Sequence, residues 1–144
     1  MTEQVPFSGS VADVLYEQVA RLKHDLGKYV AFQSRWLAED SDVAEIRSAL
    51  SADLCETHRG PDGSRSAAEI WDAQRPALEP LLREAFGLDD PDWRVIVTGM
   101  SHIGQSTPHL ETADATALEE TRREAVSVSD AISRLHRRVR NLTS

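Results

Sequence analysis

Residues 116–144 read TALEETRREAVSVSDAISRLHRRVRNLTS, and this stretch decides the fold. Leu118, Thr121, Ala125, Val128, Ile132, Leu135, Val139 and Leu142 alternate steps of three and four throughout, the spacing of a single apolar seam along an α-helix. Such a helix needs partners of the same kind. The acidic residues Glu111, Asp114, Glu119 and Glu120 stand at its start and Arg134, Arg137, Arg138 and Arg140 at its end, so both termini complement the helix dipole. The seam fits either packing within the chain or a homodimer interface.

Working outward, a matching stripe lies near the other end of the sequence. Leu15, Val19, Leu22, Leu26, Tyr29, Gln33 and Trp36 predict a long helix over Val11 to Glu39, preceded by a flexible stretch 1–10. Val43, Ile46, Leu50 and Leu54 predict a second helix over Val43 to Glu56, followed by a Gly/Pro-rich loop over 58–65. From Ser66 to Phe86 the pattern is helical again, with a kink expected at Arg75-Pro76 and an end at Gly87. Asp89-Asp90-Pro91 reads as a further helix start, and Trp93, Ile96, Val97, Met100 and Ile103 keep helical spacing although Val95 to Thr98 have strand composition. A lone strand would find no partner here, so helix is the reading. Residues 104–112, with Gly104 and Pro108, are expected to form a loop. Four pairs, Ser10/Asp13, Asp42/Glu45, Ser66/Glu69 and Thr116/Glu119, approximate the capping box that satisfies orphan amides at a helix start. The expected architecture is an all-α bundle of four to five helices, one domain over 1–144, with long first and last helices.

Composition narrows function. The 144 residues hold 16 Lys+Arg against 24 Asp+Glu, a net charge of −8 that disfavours nucleic acid and anionic membranes as partners. One cysteine, Cys55, supports neither an internal disulfide nor a multi-cysteine metal site. Residues 1–10 show no signal-peptide pattern and no run approaches a membrane span, so a soluble cytoplasmic protein is expected. His102 and His109 have no cysteine or carboxylate at ligand spacing, and Gly60 to Ser64 lack the Lys-Ser/Thr of a phosphate loop. No metal or cofactor is expected.

The segment Arg21-Leu22-Lys23-His24-Asp25-Leu26-Gly27-Lys28-Tyr29 is the one that reads as more than packing, against the plain alternative of a solvated helix face with an incidental histidine. At about 100° per residue His24 falls roughly 160° from both Leu22 and Leu26, which sets it on the solvent side of the first helix. Ala20, Gly27 and Ala31 surround it with small side chains, and Arg21, Lys28 and Arg35 flank it with cations. A bulky partner would reach the imidazole there. Gly27 inside a helix costs about 0.8–1.0 kcal/mol relative to Ala, which suggests close approach by another backbone.

Lys23-His24-Asp25-Leu26-x-x-Tyr29-Val30 resembles the H-box of histidine-kinase dimerisation domains and sporulation-type phosphotransferases. The bundle also resembles histidine phosphotransfer domains, whose Lys-Gly after the histidine is here Gly27-Lys28. The resemblance implies that His24 accepts a phosphoryl group, that Asp25 orients its ring, that Lys28 and Arg21 offset charge, and that a receiver domain or kinase is the protein partner. Mg²⁺ would come from that partner. Lys28 stands where many of these proteins have Asn. No nucleotide-binding half is present in the sequence, so transfer between proteins is expected in place of autophosphorylation. His24-Asp25-Leu26-Gly27-Lys28 also resembles the His-Asp string of HD-domain phosphohydrolases, but no histidine precedes position 24 to complete their metal set. The alternative from another class is a non-catalytic adaptor that binds a partner through the Ala20-His24-Gly27-Ala31 face.

Overall fold

A computed structural model describes residues 7–27, 42–50 and 67–143. They form five α-helices and one 3₁₀ turn: α1 Phe7–Gly27, α2 Val43–Leu50, α3 Ala67–Ala85, α4 Pro91–Ser106, the 3₁₀ turn Thr107–Thr112, and α5 Ala115–Thr143. No strand occurs among the described residues, and Val95 to Thr98 are helical. The chain is an all-α bundle.

The C-terminal helix is the spine. It packs against α1, α2 and α4, while α3 lies on the other flank of α1 and touches α4. Its seam is buried from Leu118 to Val139, and Leu142, one turn beyond, is 45% exposed. Opposite it, Leu15, Val19, Leu22 and Leu26 of α1 are each at most 1% exposed, as their spacing requires. Between α3 and α4 the Trp71 and Trp93 rings meet at 5.3 Å, tilted by 46°. Helices α4 and α5 approach tightly at Gly99, where an added Cβ would run into the Val128 side chain.

Several boundaries differ from expectation, each for a local reason. The first helix starts at Phe7, so Phe7 to Ser10 are helical and Ser10 is no cap; its continuation toward Glu39 and that of α2 toward Glu56 lie outside the described residues, as do Ser66 and the 58–65 loop. Helix α3 runs unbroken through Pro76 and Pro80. The two prolines are spaced four apart on an exposed face, so the carbonyls of Asp72 and Pro76 that lose their amide partners reach water. Residues 104–112 are not a loop: α4 continues to Ser106 because Ile103 is buried, and the 3₁₀ turn follows with Pro108 in its first positions, where a missing N–H costs little. Leu110 anchors that turn in the core at 1% exposure. Arg47 of α2 holds it from outside, its Nε donating to the Leu110 carbonyl at 3.2 Å and its Nη2 to Ala113 at 2.6 Å.

Caps fix the remaining ends. Asp42 accepts from the Glu45 amide at 2.8 Å, as the capping pair predicts. The cap of α5 is Asp114, not Thr116: its Oδ1 accepts from the Ala117 amide at 2.8 Å. Helix α3 closes where the Leu82 carbonyl accepts from both Phe86 and Gly87, and Gly87 takes φ +88°, a conformation open to glycine at little cost.

Candidate functional site

The outer face of α1 holds the residues singled out by the sequence. Taking His24 as the centre, Asp13, Glu17 and Arg21 fall within about 60° of it along the helix, and all four are exposed. Ala20 and Gly27 on the other side of this arc are half-buried. His24 therefore stands at the middle of the solvent-facing arc. The described residues give it no hydrogen-bond or ion-pair partner. A Cβ built on Gly27 meets nothing within 4 Å, so no approach inside the described chain demands glycine there. Lys28, Ala31 and Arg35 lie outside the described residues.

The residues on either side of His24 turn toward different neighbours, because each is rotated by about 100° from it in opposite senses. Asp25 faces α3, where Gln74 Nε2 donates to its Oδ2 at 2.6 Å. The carboxylate expected to orient the histidine ring thus has a partner on another helix. Gln74 Oε1 is buried and without a partner among the described residues. Lys23 faces the α5 side, close enough to act on His136. The His136 ring stacks on Tyr16 of α1 with centroids 5.0 Å apart and planes at 24°. Burial, then the charges of Lys23 and Arg140, hold its pKa below the ordinary histidine value. That ring is a neutral packing element near neutral pH.

A second cluster joins the start of α4 to the end of α5. Asp90, 6% exposed, caps α4 by accepting from the Trp93 amide at 3.1 Å. Arg138 donates to the same carboxylate through both terminal nitrogens, at 2.8 and 2.7 Å, and its Nη2 lies 2.9 Å from Asp92. Arg134 Nε donates to the other oxygen of Asp92 at 2.9 Å. Burial alone would raise the Asp90 pKa, but the Arg138 fork and the Trp93 amide outweigh it and hold the carboxyl below its usual range. Asp90 in turn raises the Arg138 pKa. Arg138 also lies 4.8 Å from the centroid of the Phe86 ring. Its Nε is buried and unpartnered among the described residues.

At the opposite end of the same helix pair, His102 Nδ1 lies 3.3 Å from Glu124 Oε1. They border a cleft of about 220 Å³ with Gln105, Ser106, Glu120 and Thr121. No group of three or more His, Cys, Asp or Glu side chains among the described residues is arranged to hold a metal ion. No described helix is long and apolar enough to cross a membrane. In comparisons with known proteins, no protein family, no curated protein and no solved structure matches the chain.

Sequence reasoning placed Asp90 at a helix start and Arg138 at a helix end without joining them. The pairing had a signal: Asp90 and Asp92 flank one helix start, while Arg134 and Arg138 are four apart and share a face on the helix whose end meets it. Gln74 and His136 had none. Each is a single polar residue in an amphipathic helix, and its partner is set by how the helices cross.

Proposed function

We propose that the protein is a cytoplasmic, histidine phosphotransfer-like signalling bundle in which His24 accepts a phosphoryl group from a partner protein. The observation that supports this reading is the exposure of His24 at the centre of the outer arc of α1, accessible to a partner and uncommitted to any described side chain. A neutral imidazole nitrogen is a competent nucleophile near neutral pH. In the transfer it attacks the phosphorus of an aspartyl phosphate on a receiver domain, the N–P bond forms, the P–O bond to the carboxylate breaks, and the ring loses its other proton to solvent. Arg21 on the same face, and Lys28 four residues after His24 in the sequence, would offset charge on the moving group, and Mg²⁺ would be held by the partner.

The Gln74–Asp25 hydrogen bond favours a second reading, a non-catalytic adaptor that presents the Ala20-His24-Gly27 face to a partner. A carboxylate tied to α3 contributes to packing whether or not His24 reacts. The two readings separate in one experiment. Purified protein is incubated with phosphorylated receiver domains and kinases of its own organism, and acid-labile, alkali-stable label is scored beside His24→Gln. Label in the wild type that disappears in the variant supports phosphotransfer. Absence of label from every donor, with both proteins folded, assigns the adaptor role.

A further inference from the structure

The end of α5 gathers more positive charge than the fold consumes. Arg134, Arg137, Arg138, Arg140 and Asn141 line an open groove of about 560 Å³, with Asp92 the one acid of its lining among the described residues. That volume is in the range of small-ligand sites. With Asp90 behind Arg138 counted as well, Arg134 and Arg138 pair with the two aspartates, and Arg137 pairs with neither among the described residues.

The arginines divide by task. Arg138 is spent on structure, since its terminal nitrogens are committed to Asp90 and Asp92. Arg134 uses only Nε on Asp92, which fixes the direction of its guanidinium and leaves both terminal nitrogens uncommitted among the described residues. Arg137 is exposed and meets no acid among the described residues. Arg134 and Arg137 are three apart on one helix, so their Cβ atoms are about 5–6 Å from each other and both guanidinium groups serve the same groove. Lys23 and Arg140 add to the field on the adjoining side, where both act on His136. One guanidinium fork would fit a single carboxylate; two forks a turn apart suit an anion whose oxygens are spread over several ångströms.

We propose that this groove binds the diphosphate group of a small molecule, with Arg134 and Arg137 as its principal donors. The inference does not draw on His24 and stands or falls separately from phosphoryl transfer. The full chain is titrated by calorimetry with inorganic pyrophosphate at low salt, with ADP in a second arm and citrate in a third. Saturable one-to-one binding of pyrophosphate is expected, weakened about ten- to hundredfold in R134Q/R137Q, as loss of charge-assisted hydrogen bonds requires. ADP binding as tightly as pyrophosphate assigns recognition to the diphosphate alone; tighter ADP binding adds a contact to the nucleoside. R137Q removes a side chain with no acidic partner among the described residues, so its effect is read on a protein whose Asp90–Arg138 contact is untouched. Citrate binding as tight as pyrophosphate, unchanged pyrophosphate affinity in both variants, or no saturable binding would overturn the proposal.

Discussion

The outer face of α1 and the α4–α5 junction are both rich in ionisable residues, yet they use them in opposite ways. At the junction, Asp90, Asp92, Arg134 and Arg138 bond across the helix interface and Asp90 also caps a helix. On α1, Asp13, Glu17, Arg21 and His24 face solvent with no described contact to another helix, and only Asp25, at the edge of that face, is tied down. The first set ties the start of α4 to the end of α5. The second set leaves its side chains in solvent, the accessibility that the proposed phosphotransfer at His24 requires. Breaking a contact at the junction should therefore cost stability, and changing a group on the face should cost function alone.

The largest effect is expected for Asp90→Ala. It deletes the cap of α4, worth about 1 kcal/mol, and leaves Arg138 without the partner that holds its guanidinium at the interface. Together these predict a loss of about 2–4 kcal/mol in urea unfolding. Arg138 is 38% exposed and able to regain some hydration, so the cost stays below that of a fully buried pair. A loss under about 0.5 kcal/mol, the usual range for a surface change, would put the junction in the same category as the α1 face and break the contrast.

Next is Gly99→Ala. Alanine in a helix is intrinsically better than glycine by about 1 kcal/mol, so a gain is the outcome if helix propensity decides. The new Cβ meets Val128, a β-branched and fully buried side chain on α5 with little rotamer freedom to yield. Overpacking therefore wins, and a net loss of about 1–3 kcal/mol is expected in the same unfolding assay. Gly27→Ala is the internal control. Its Cβ would meet nothing within 4 Å among the described residues, so propensity decides there and stability should rise or stay level.

This pair of glycines marks the limit of what was legible in the sequence. Periodicity located every described α-helix and the buried seam, because a stripe of apolar residues is a property of one segment read alone. It also put His24 on the solvent side, for the same reason. Gly27 drew attention as an expensive glycine, whereas Gly99, within a segment whose helical state was itself in question, is the one that helix packing requires. Which glycine is needed depends on how two helices cross, and neither helix encodes that by itself. The prolines do not interrupt the helix, for a related cause. Pro76 and Pro80 pointed to a kink, and the helix stays continuous through both because their spacing puts the lost hydrogen bonds on the solvent side of a helix held by Ile70, Trp71, Leu78 and Leu82. At the site, the positions of His24 and Asp25 on their helix were readable and the bond from Gln74 was not.

A smaller effect is expected from pH, at the seam between the two regions. His136 stacks on Tyr16 with Lys23 and Arg140 nearby, and its folded pKa lies below the ordinary 6.5 because burial and those cations disfavour its charged form. Below 6.5 the unfolded chain then binds more protons than the folded one. The stabilisation is fully present above the unfolded value and is lost as pH falls through the window down to the folded value. Urea midpoints measured between pH 7.5 and 5.5 should drop in the wild type. In His136→Phe, which keeps a ring against Tyr16 and removes the titration, the drop should be smaller. An equal drop in both would assign the pH response to other groups.

The smallest effect on stability, and the sharpest separation of the two regions, is expected for His24→Gln. The side chain is exposed and has no described partner, so its replacement by another polar residue of good helix propensity should change unfolding free energy by less than about 0.5 kcal/mol. Phosphoryl label, if the chain carries it, should vanish entirely in the same variant. The combination matters because either result alone is ambiguous. Lost label with lost stability would be explained by a disturbed α1, whereas lost label on an undisturbed bundle leaves only the imidazole itself. Gln74→Ala completes the test from the other side. It frees Asp25 from α3 without touching His24, so a change in label there would mean that the tie to α3 governs the histidine, and unchanged label would mean that Asp25 serves packing alone.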